Sequence, residues 1–566
     1  MDVGLFWKIA ADVIGGLGVF LLGMKYMSEG LQAVSGDRLR KMISAVTNNR
    51  VMGVIVGLLV TCLVQSSSVT TVMVVGFVNS GIMTLMQAIG VIFGANIGTT
   101  ITGWILVLHI GKWGLPILGV AAFFFLFSKN DRLRYIGMTV MGIGMVFFGL
   151  ELMKNGFKPL RSHEEFQAWF HAFQATSYLG IIKCAAVGCI LTMIVQSSSA
   201  TLGITIGLAS TGVIEFQTAA ALVMGENIGT TITAWLASLG TTTAAKRAAL
   251  AHVFFNVLGT AWFIALFPVA IHGLSNLIAW KTGYDPLTIK IADMAESDFE
   301  QIITAGIALT HTSFNVANVL LFLPFAGLLG KFVTRLVPEK ATKEVKHLTY
   351  LDVRMLDTPT LGIVQSQGQI DFMGESVVKM LDNLKVCMQS ETAQPELERK
   401  IFHREEILDN VQKEIFLYLS HLVAGQVPYE VSDRAHMQMR IADEYESVSD
   451  YAADVLKGLK KLEQNHLLLD EPAREKLIAL HDRVTAYIIK VNQYVKTDNK
   501  DIATWASTES LAISKLMKGF RRQHLERLQK EEVSPFFSLA FTDMLNFYRR
   551  MKDHALNIAE VVAGEK

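Results

Sequence analysis

Two clusters of amide and hydroxyl side chains interrupt apolar runs: Gln65-Ser66-Ser67-Ser68 and Gln196-Ser197-Ser198-Ser199. A second pair of motifs follows, GANIGTTIT from Gly94 to Thr102 and GENIGTTIT from Gly225 to Thr233. Both pairs are offset by 131 positions, which marks a duplication. Glutamine and asparagine bring amide oxygens and N–H donors, and serine and threonine bring hydroxyls that donate or accept. Such oxygens are hard ligands suited to a cation like sodium. The same N–H and O–H donors suit an oxyanion, as does the N-terminus of a short helix. One cluster can therefore hold both partners of a coupled pair. A lone serine in an apolar helix reads as helix packing. Glutamine and asparagine placed there twice do not, because an unpartnered amide in hydrocarbon costs free energy. No Lys or Arg lies between Val51 and Leu108 or between Cys184 and Leu239. An anion held there lacks a fixed countercharge, which bound sodium would supply.

The elements that must position these residues are membrane helices. The chain has 566 residues, 51% of them hydrophobic, with a mean hydropathy of +0.37. The apolar weight lies before about residue 337, and the remainder is charged and mixed. The expected division is a transmembrane transport domain, 1–337, and a soluble domain, 338–566, large enough for its own core. Zero net charge argues against a general nucleic-acid partner. Cys62, Cys184, Cys189 and Cys387 lack ligand spacing and read as small hydrophobes. The N-terminal apolar run reads as a retained membrane helix.

The duplication extends beyond the signatures. The first helix, about Val13 to Leu31, shares a glycine skeleton with Met141 to Phe157: Gly18, Gly23, Met27 and Gly30 match Gly144, Gly149, Met153 and Gly156. The repeats span roughly 13–108 and 139–239. Basic residues in short loops orient them. Arg38, Arg40, Lys41 and Arg50, then Lys129, Arg132 and Arg134, then Lys331, Arg335, Lys340, Lys343 and Lys346 mark the cytoplasmic side. The acidic stretch from Lys281 to Glu300 falls outside, and a mixed loop holds Glu164 and Glu165. The two copies of the first helix then end on opposite sides, which makes the repeats inverted, as in secondary transporters. Val51 to Val64 is too short for a span of ~20 residues, and Gly94 to Thr100 is a poor helix interior. Both fit re-entrant or broken helices, tolerated at membrane depth where protein or a wet cavity surrounds them.

The doubled QSSS and G-x-N-I-G-T-T motifs resemble the type II sodium–phosphate cotransporters. Ala245 to Asn256 (AKRAALAHVFFN) and Thr310 to Asn315 (THTSFN) are similar to that family too, so the resemblance covers about 15–335. It implies sodium-dependent movement of inorganic phosphate. Carried over residue by residue, it implies a sodium site at Gln196, Ser197, Thr230 and Thr233. Glu226 joins it, either through its carbonyl, as a serine does in the animal members, or as an added carboxylate. Phosphate is expected at Gln65, Ser66, Ser67, Ser68, Asn96, Thr99, Ser198, Ser199 and Asn227. The first repeat would then serve chiefly phosphate and the second sodium. His252 and His311, in HVFFN and HTSFN, are expected to be satisfied packing residues rather than proton sites.

From Leu351 the pattern becomes long amphipathic helices punctuated by Pro395, Pro428, Pro472 and Pro535. The run Glu446-Ser-Val-Ser-Asp450-Tyr-Ala-Ala-Asp454 resembles the metal signature of PhoU domains. That resemblance makes Glu446, Asp450 and Asp454 candidate metal ligands, against the plainer reading of a solvated helix face. A second copy, Asp553 to Glu560, is worn down.

The expectation is an all-α protein, a polytopic membrane domain of two inverted repeats followed by a PhoU-like helical bundle. Its function is sodium-coupled phosphate transport by alternating access in the inner membrane. The alternatives are a transporter of another small anion or a membrane phosphate sensor. Its soluble domain is expected in the cytoplasm, as a homodimer contact or a site for a regulatory protein. Sodium is co-transported, and no organic cofactor is expected. No P-loop, HExxH or GxSxG motif points to an enzyme.

Overall fold

The computed structural model describes residues 3–44, 49–79, 83–108, 113–162, 173–239, 241–338, 359–390, 392–425, 427–497, 499 and 501–565. The chain forms two compact units, Met1–Ala341 and Thr342–Lys566. The regular elements among the described residues are helices. Lys340, Lys343, Lys346, Glu164, Glu165 and the stretch 351–358 lie outside the described residues.

In the first unit the helices are α1 (Val3–Ser44), α2 (Arg50–Val64), α3 (Ser67–Asn79), α4 (Leu85–Thr99), α5 (Ile101–Val107), α6 (Gly114–Phe127) and α7 (Asp131–Phe157). They continue as α8 (Tyr178–Val195), α9 (Ser198–Ser210), α10 (Phe216–Gly229), α11 (Thr231–Ala237), α12 (Thr243–Ala265), α13 (Phe267–Thr282), α14 (Glu296–Phe322) and α15 (Ala326–Leu336). Among the described residues, six spans, including Gly4–Ser35, Asp131–Arg161 and Glu296–Phe322, are long and apolar enough to cross a membrane. Helix starts are set by polar caps. Asn49 Oδ1 accepts from Val51 N at 2.9 Å, Asn130 Oδ1 from Leu133 N at 3.2 Å, and Ser177 Oγ from Gly180 N at 3.2 Å. α1 outruns the expected Val13 to Leu31. It stays helical through Ser44, so Arg38, Arg40 and Lys41 lie in its last turns rather than in a loop, and Arg50 begins α2.

The repeats are inverted, and glycine packing shows it. A Cβ on Gly16 would meet Gly149 O at 2.7 Å, and one on Gly23 would meet Gly142 O at 2.8 Å. Residue numbers rise along α1 as they fall along α7, so the two copies of the first helix pack antiparallel. Adding 126 to Gly16 and Gly23 gives Gly142 and Gly149, so each contact is the other's image under a local two-fold axis. α12 and α14 show the same relation. Phe263 lies against Phe314 with ring centroids 5.2 Å apart, and Phe255 against Phe322 at 5.6 Å. A shift of 59 converts one pair into the other. The duplication therefore includes these two helices, beyond the limits of 108 and 239 drawn from the signatures.

Within each repeat a broken helix packs against a kinked one. A Cβ on Gly57 would overlap Val91 O, and one on Gly94 would overlap Val54 O. In repeat two, Gly188 meets Leu222 O and Gly225 meets Ala185 O in the same way. These four positions bring backbones together closer than any side chain permits. The G-x-N-I-G-T-T segments are thus helical through Thr99 and Gly229, with only a kink at Thr100 and Thr230. Their glycines give close approach rather than an unwound strand of backbone.

The second unit is a bundle of α16 (Pro359–Gln389), α17 (Pro395–Val423), α18 (Tyr429–Gln464), α19 (Glu471–Thr497), α20 (Ile502–Gln529) and α21 (Pro535–Ala563). Its core is built on Tyr445, Tyr487 and Tyr548, which are fully buried.

Candidate ion and anion site

Each QSSS motif is a helix stop followed by a helix start. Gln65 ends α2 at φ 55°, ψ 21°, and Gln196 ends α8 at φ 55°, ψ 23°. Left-handed backbone is unusual for a residue with a Cβ and marks a stored cost. It recurs at both motifs to within a few degrees. Each glutamine N–H closes its helix, onto Thr61 O and Thr192 O, both at 2.7 Å. The next residue starts the following helix. Ser66 Oγ accepts from Val69 N at 3.3 Å, and Ser197 Oγ from Ala200 N at 3.2 Å. Across the first break, Thr61 Oγ1 donates to Thr70 Oγ1 at 3.1 Å. In a continuous helix those residues would sit about 13 Å apart along the axis, so the chain folds back as a hairpin. Each half-helix N-terminus keeps amides free of helical partners and the positive end of a dipole.

The kinked helices present matching side chains. Asn96 Nδ2 donates to Ile92 O and Asn227 Nδ2 to Val223 O, both at 2.9 Å, which leaves each amide oxygen available. Thr99 Oγ1 donates to Ala95 O at 3.0 Å, and Thr230 Oγ1 to Glu226 O at 2.8 Å. Thr233 Oγ1 donates to Thr230 O at 2.9 Å. Thr99 and Thr230 each turn the hydroxyl proton inward onto their own helix.

The two repeats meet at Thr102, a residue the sequence reading passed over. Its Oγ1 lies 3.5 Å from Gln65 Oε1 and 3.3 Å from Ser199 Oγ. One hydroxyl thus bridges the first QSSS to the second. The signal was present, since Thr102 holds in GANIGTTIT the place of Thr233 in GENIGTTIT. Ser67, Ser199, Asn96, Asn227, Thr230 and Thr233 are buried. Ser66, Ser68, Thr99, Ser197 and Ser198 are partly buried, and Gln196 is exposed where Gln65 is buried.

Glu226 makes two separate sets of hydrogen bonds. Its carbonyl is occupied by the N–H and hydroxyl of Thr230. Its carboxylate turns instead to α9, where Thr205 Oγ1 donates to Oε1 at 2.9 Å. His252 and His311 are buried, but they are not satisfied. Their Nδ1 atoms, and Oδ1 of Asn256 and Asn315 one turn on, have no hydrogen-bond partner among the described residues.

In the second unit, Glu446, Asp450 and Asp454 lie one turn apart on α18. Burial first, then the neighbouring Asp450, Asp443 and Asp409 carboxylates, raise the Glu446 carboxyl above its usual range. Burial and Asp454 raise Asp450 likewise. Asp454 pairs with Lys457 at 2.8 Å. His554 Nδ1 of the worn copy lies 2.6 Å from Glu444 Oε2. Among the described residues, no group of three His, Cys, Asp or Glu is gathered as a metal cluster.

Comparison with known proteins finds two family models that match separate parts of the chain. Residues 19–155 and 156–278 match the model of the Na+/Pi-cotransporter family, and 370–458 match the PhoU domain. YjbB of Salmonella typhimurium, whose name assigns it provisionally to inorganic phosphate export, is 26% identical over 526 residues, 92% of this chain and 91% of its own. YqeW of Bacillus subtilis, uncharacterized, is 28% identical over 57% of this chain and 96% of its own. The human sodium-dependent phosphate transport protein 2B is 40% identical over 98 residues, 17% of this chain and 14% of its own. No solved structure matches the chain significantly.

Proposed function

We propose that this chain, which is similar to the Na+/Pi-cotransporter family over residues 19–278 and to the PhoU domain over 370–458, moves inorganic phosphate across the membrane coupled to sodium. The observation that carries this reading is the junction at Thr102, where hairpins of the two inverted repeats meet. Two half-helix N-termini, at Ser66 and Ser197, offer backbone N–H groups to an oxyanion without any fixed cation. Phosphate sits among Gln65, Ser66, Ser67, Ser68, Asn96, Thr99, Ser198, Ser199 and Asn227. Sodium is held by Gln196, Ser197, Thr230 and Thr233, and offsets the charge of the anion. The antiparallel repeats exchange conformations to open the site to either side. Net direction follows the sodium and phosphate gradients. The PhoU unit faces the cytoplasm, beyond the basic exit of the inner-membrane domain, and regulates transport or pairs two copies of the chain.

The test is radiolabelled phosphate flux in proteoliposomes holding the full chain, with sodium gradients of either sign. Flux that reverses with the gradient supports the reading, and phosphate movement indifferent to sodium overturns it. Unlabelled sulfate or carboxylate that competes as well as phosphate would transfer the reading to another anion.

A further inference from the structure

The duplication supplies an internal control for every side chain in repeat two, and one pair fails to match. Glu226 corresponds to Ala95 and Thr205 to Val74. In repeat one, α3 and α4 place both of those apolar residues in the core, fully out of solvent. In repeat two the same spot between α9 and α10 holds a carboxylate and a hydroxyl. Glu226 is 1% exposed and Thr205 2% exposed. Thr205 Oγ1 reaches Oε1, while Oε2 has no hydrogen-bond partner among the described residues. The segment from Cys184 to Leu239 holds no Lys or Arg to neutralise it. A carboxyl group in such a setting needs either a cation beside it or a proton on it.

We propose that Glu226 and Thr205 form a second sodium site in repeat two, distinct from the cluster at the Gln196 break. Two facts separate the places. Thr205 lies eight residues beyond Ser197, about 12 Å along α9. The Glu226 carbonyl, which faces the cluster, is already taken by Thr230, so only the carboxylate is free, and it points to α9. A carboxylate and a hydroxyl are both hard oxygen ligands. They bring one full negative charge, which the neutral Gln196 cluster lacks. The consequence is one more sodium moved with each phosphate than the Gln196 cluster alone would carry. The inference rests on sodium-coupled phosphate transport for the coupling ratio, but not for the binding itself.

The test therefore has two arms on the full-length protein. In proteoliposomes, paired sodium and phosphate tracer fluxes give the coupling ratio. Glu226→Gln is expected to lower it by one sodium per phosphate. In detergent, the sodium-dependent rise in unfolding temperature reads binding without transport. Glu226→Gln is expected to remove part of that rise, and Thr205→Val, which keeps the shape and removes the hydroxyl, to shift its half-saturation about tenfold to higher sodium. An unchanged ratio together with an unchanged sodium shift overturns the proposal. A flattened pH profile with an unchanged sodium ratio overturns it also, because the carboxyl would then carry a proton. If the wild-type chain shows no sodium-driven phosphate flux yet keeps a Glu226-dependent sodium shift, the transport reading fails and the site stands. Should Glu226→Gln fail to fold, Thr205→Val decides the matter by the same thermal measurement.

Discussion

Repeat one and repeat two share a backbone and differ in what they expose and what they charge. Gln65 and Gln196 take the same left-handed conformation. Gly57 and Gly94 make in one repeat the carbonyl contacts that Gly188 and Gly225 make in the other. Yet Gln65 is buried and Gln196 is exposed, and the place of Ala95 and Val74 is taken by Glu226 and Thr205. Close packing tolerates no drift at positions where backbones touch, so the scaffold stays symmetric. Side chains away from those contacts are free to diverge, and Glu226 and Thr205 are among those that have.

The widest expected effect tests the shared scaffold. Gly94→Leu and Gly225→Leu each force a side chain into a facing carbonyl, at Val54 and Ala185. Each should cost more than about 3 kcal/mol and leave little monodisperse protein on size-exclusion chromatography. If one is tolerated while the other is not, the two packings are not equivalent.

The next prediction divides the work. Gln196→Ala should weaken sodium activation of phosphate flux by about 10–100-fold. Gln65→Ala should spare sodium activation more and raise the phosphate concentration needed for half-maximal flux. Equal sodium losses in the two variants would erase the proposed difference between repeats.

Smaller effects sharpen the picture. Glycine adopts the left-handed backbone without the Cβ penalty. Gln65→Gly should therefore unfold later than Gln65→Ala by about 1 kcal/mol, and Gln196→Gly later than Gln196→Ala by the same amount. Thermal unfolding of the four variants checks this, and an alanine variant as stable as its glycine partner would deny the strain. Thr102→Val removes the hydroxyl between Gln65 and Ser199. A loss of about 1 kcal/mol is expected in phosphate affinity, with Thr102→Ser restoring it. A valine variant indistinguishable from wild type would remove Thr102 from the junction.

Much of the fold was legible from the residues. The offset of 131 revealed the duplication, and the short apolar runs around QSSS announced helices that stop and restart. What misled was glycine. Gly94 and Gly98 read locally as helix breakers, but their use is contact with Val54 O and Thr61, on a helix 30 to 40 positions away. The pairing of α12 with α14 was only hinted at, by HVFFN and HTSFN, because a helix conserves its spacing but not its neighbours. Nor did their histidines turn out satisfied, since satisfaction depends on partners from other helices.

The sequence by itself determined the all-helical class, the doubling, the apolar and charged halves, and the residue types able to hold an ion pair of sodium and an oxyanion. These are local properties, carried by hydropathy, period and motif. Only the tertiary structure decided that α1 and α7 run antiparallel, that Thr102 joins the two QSSS breaks, and that the Glu226 carboxylate meets Thr205. Each of those depends on which helix lies beside which. That is settled by packing over the whole unit, where glycine backbones touch and buried polar atoms find partners or do not.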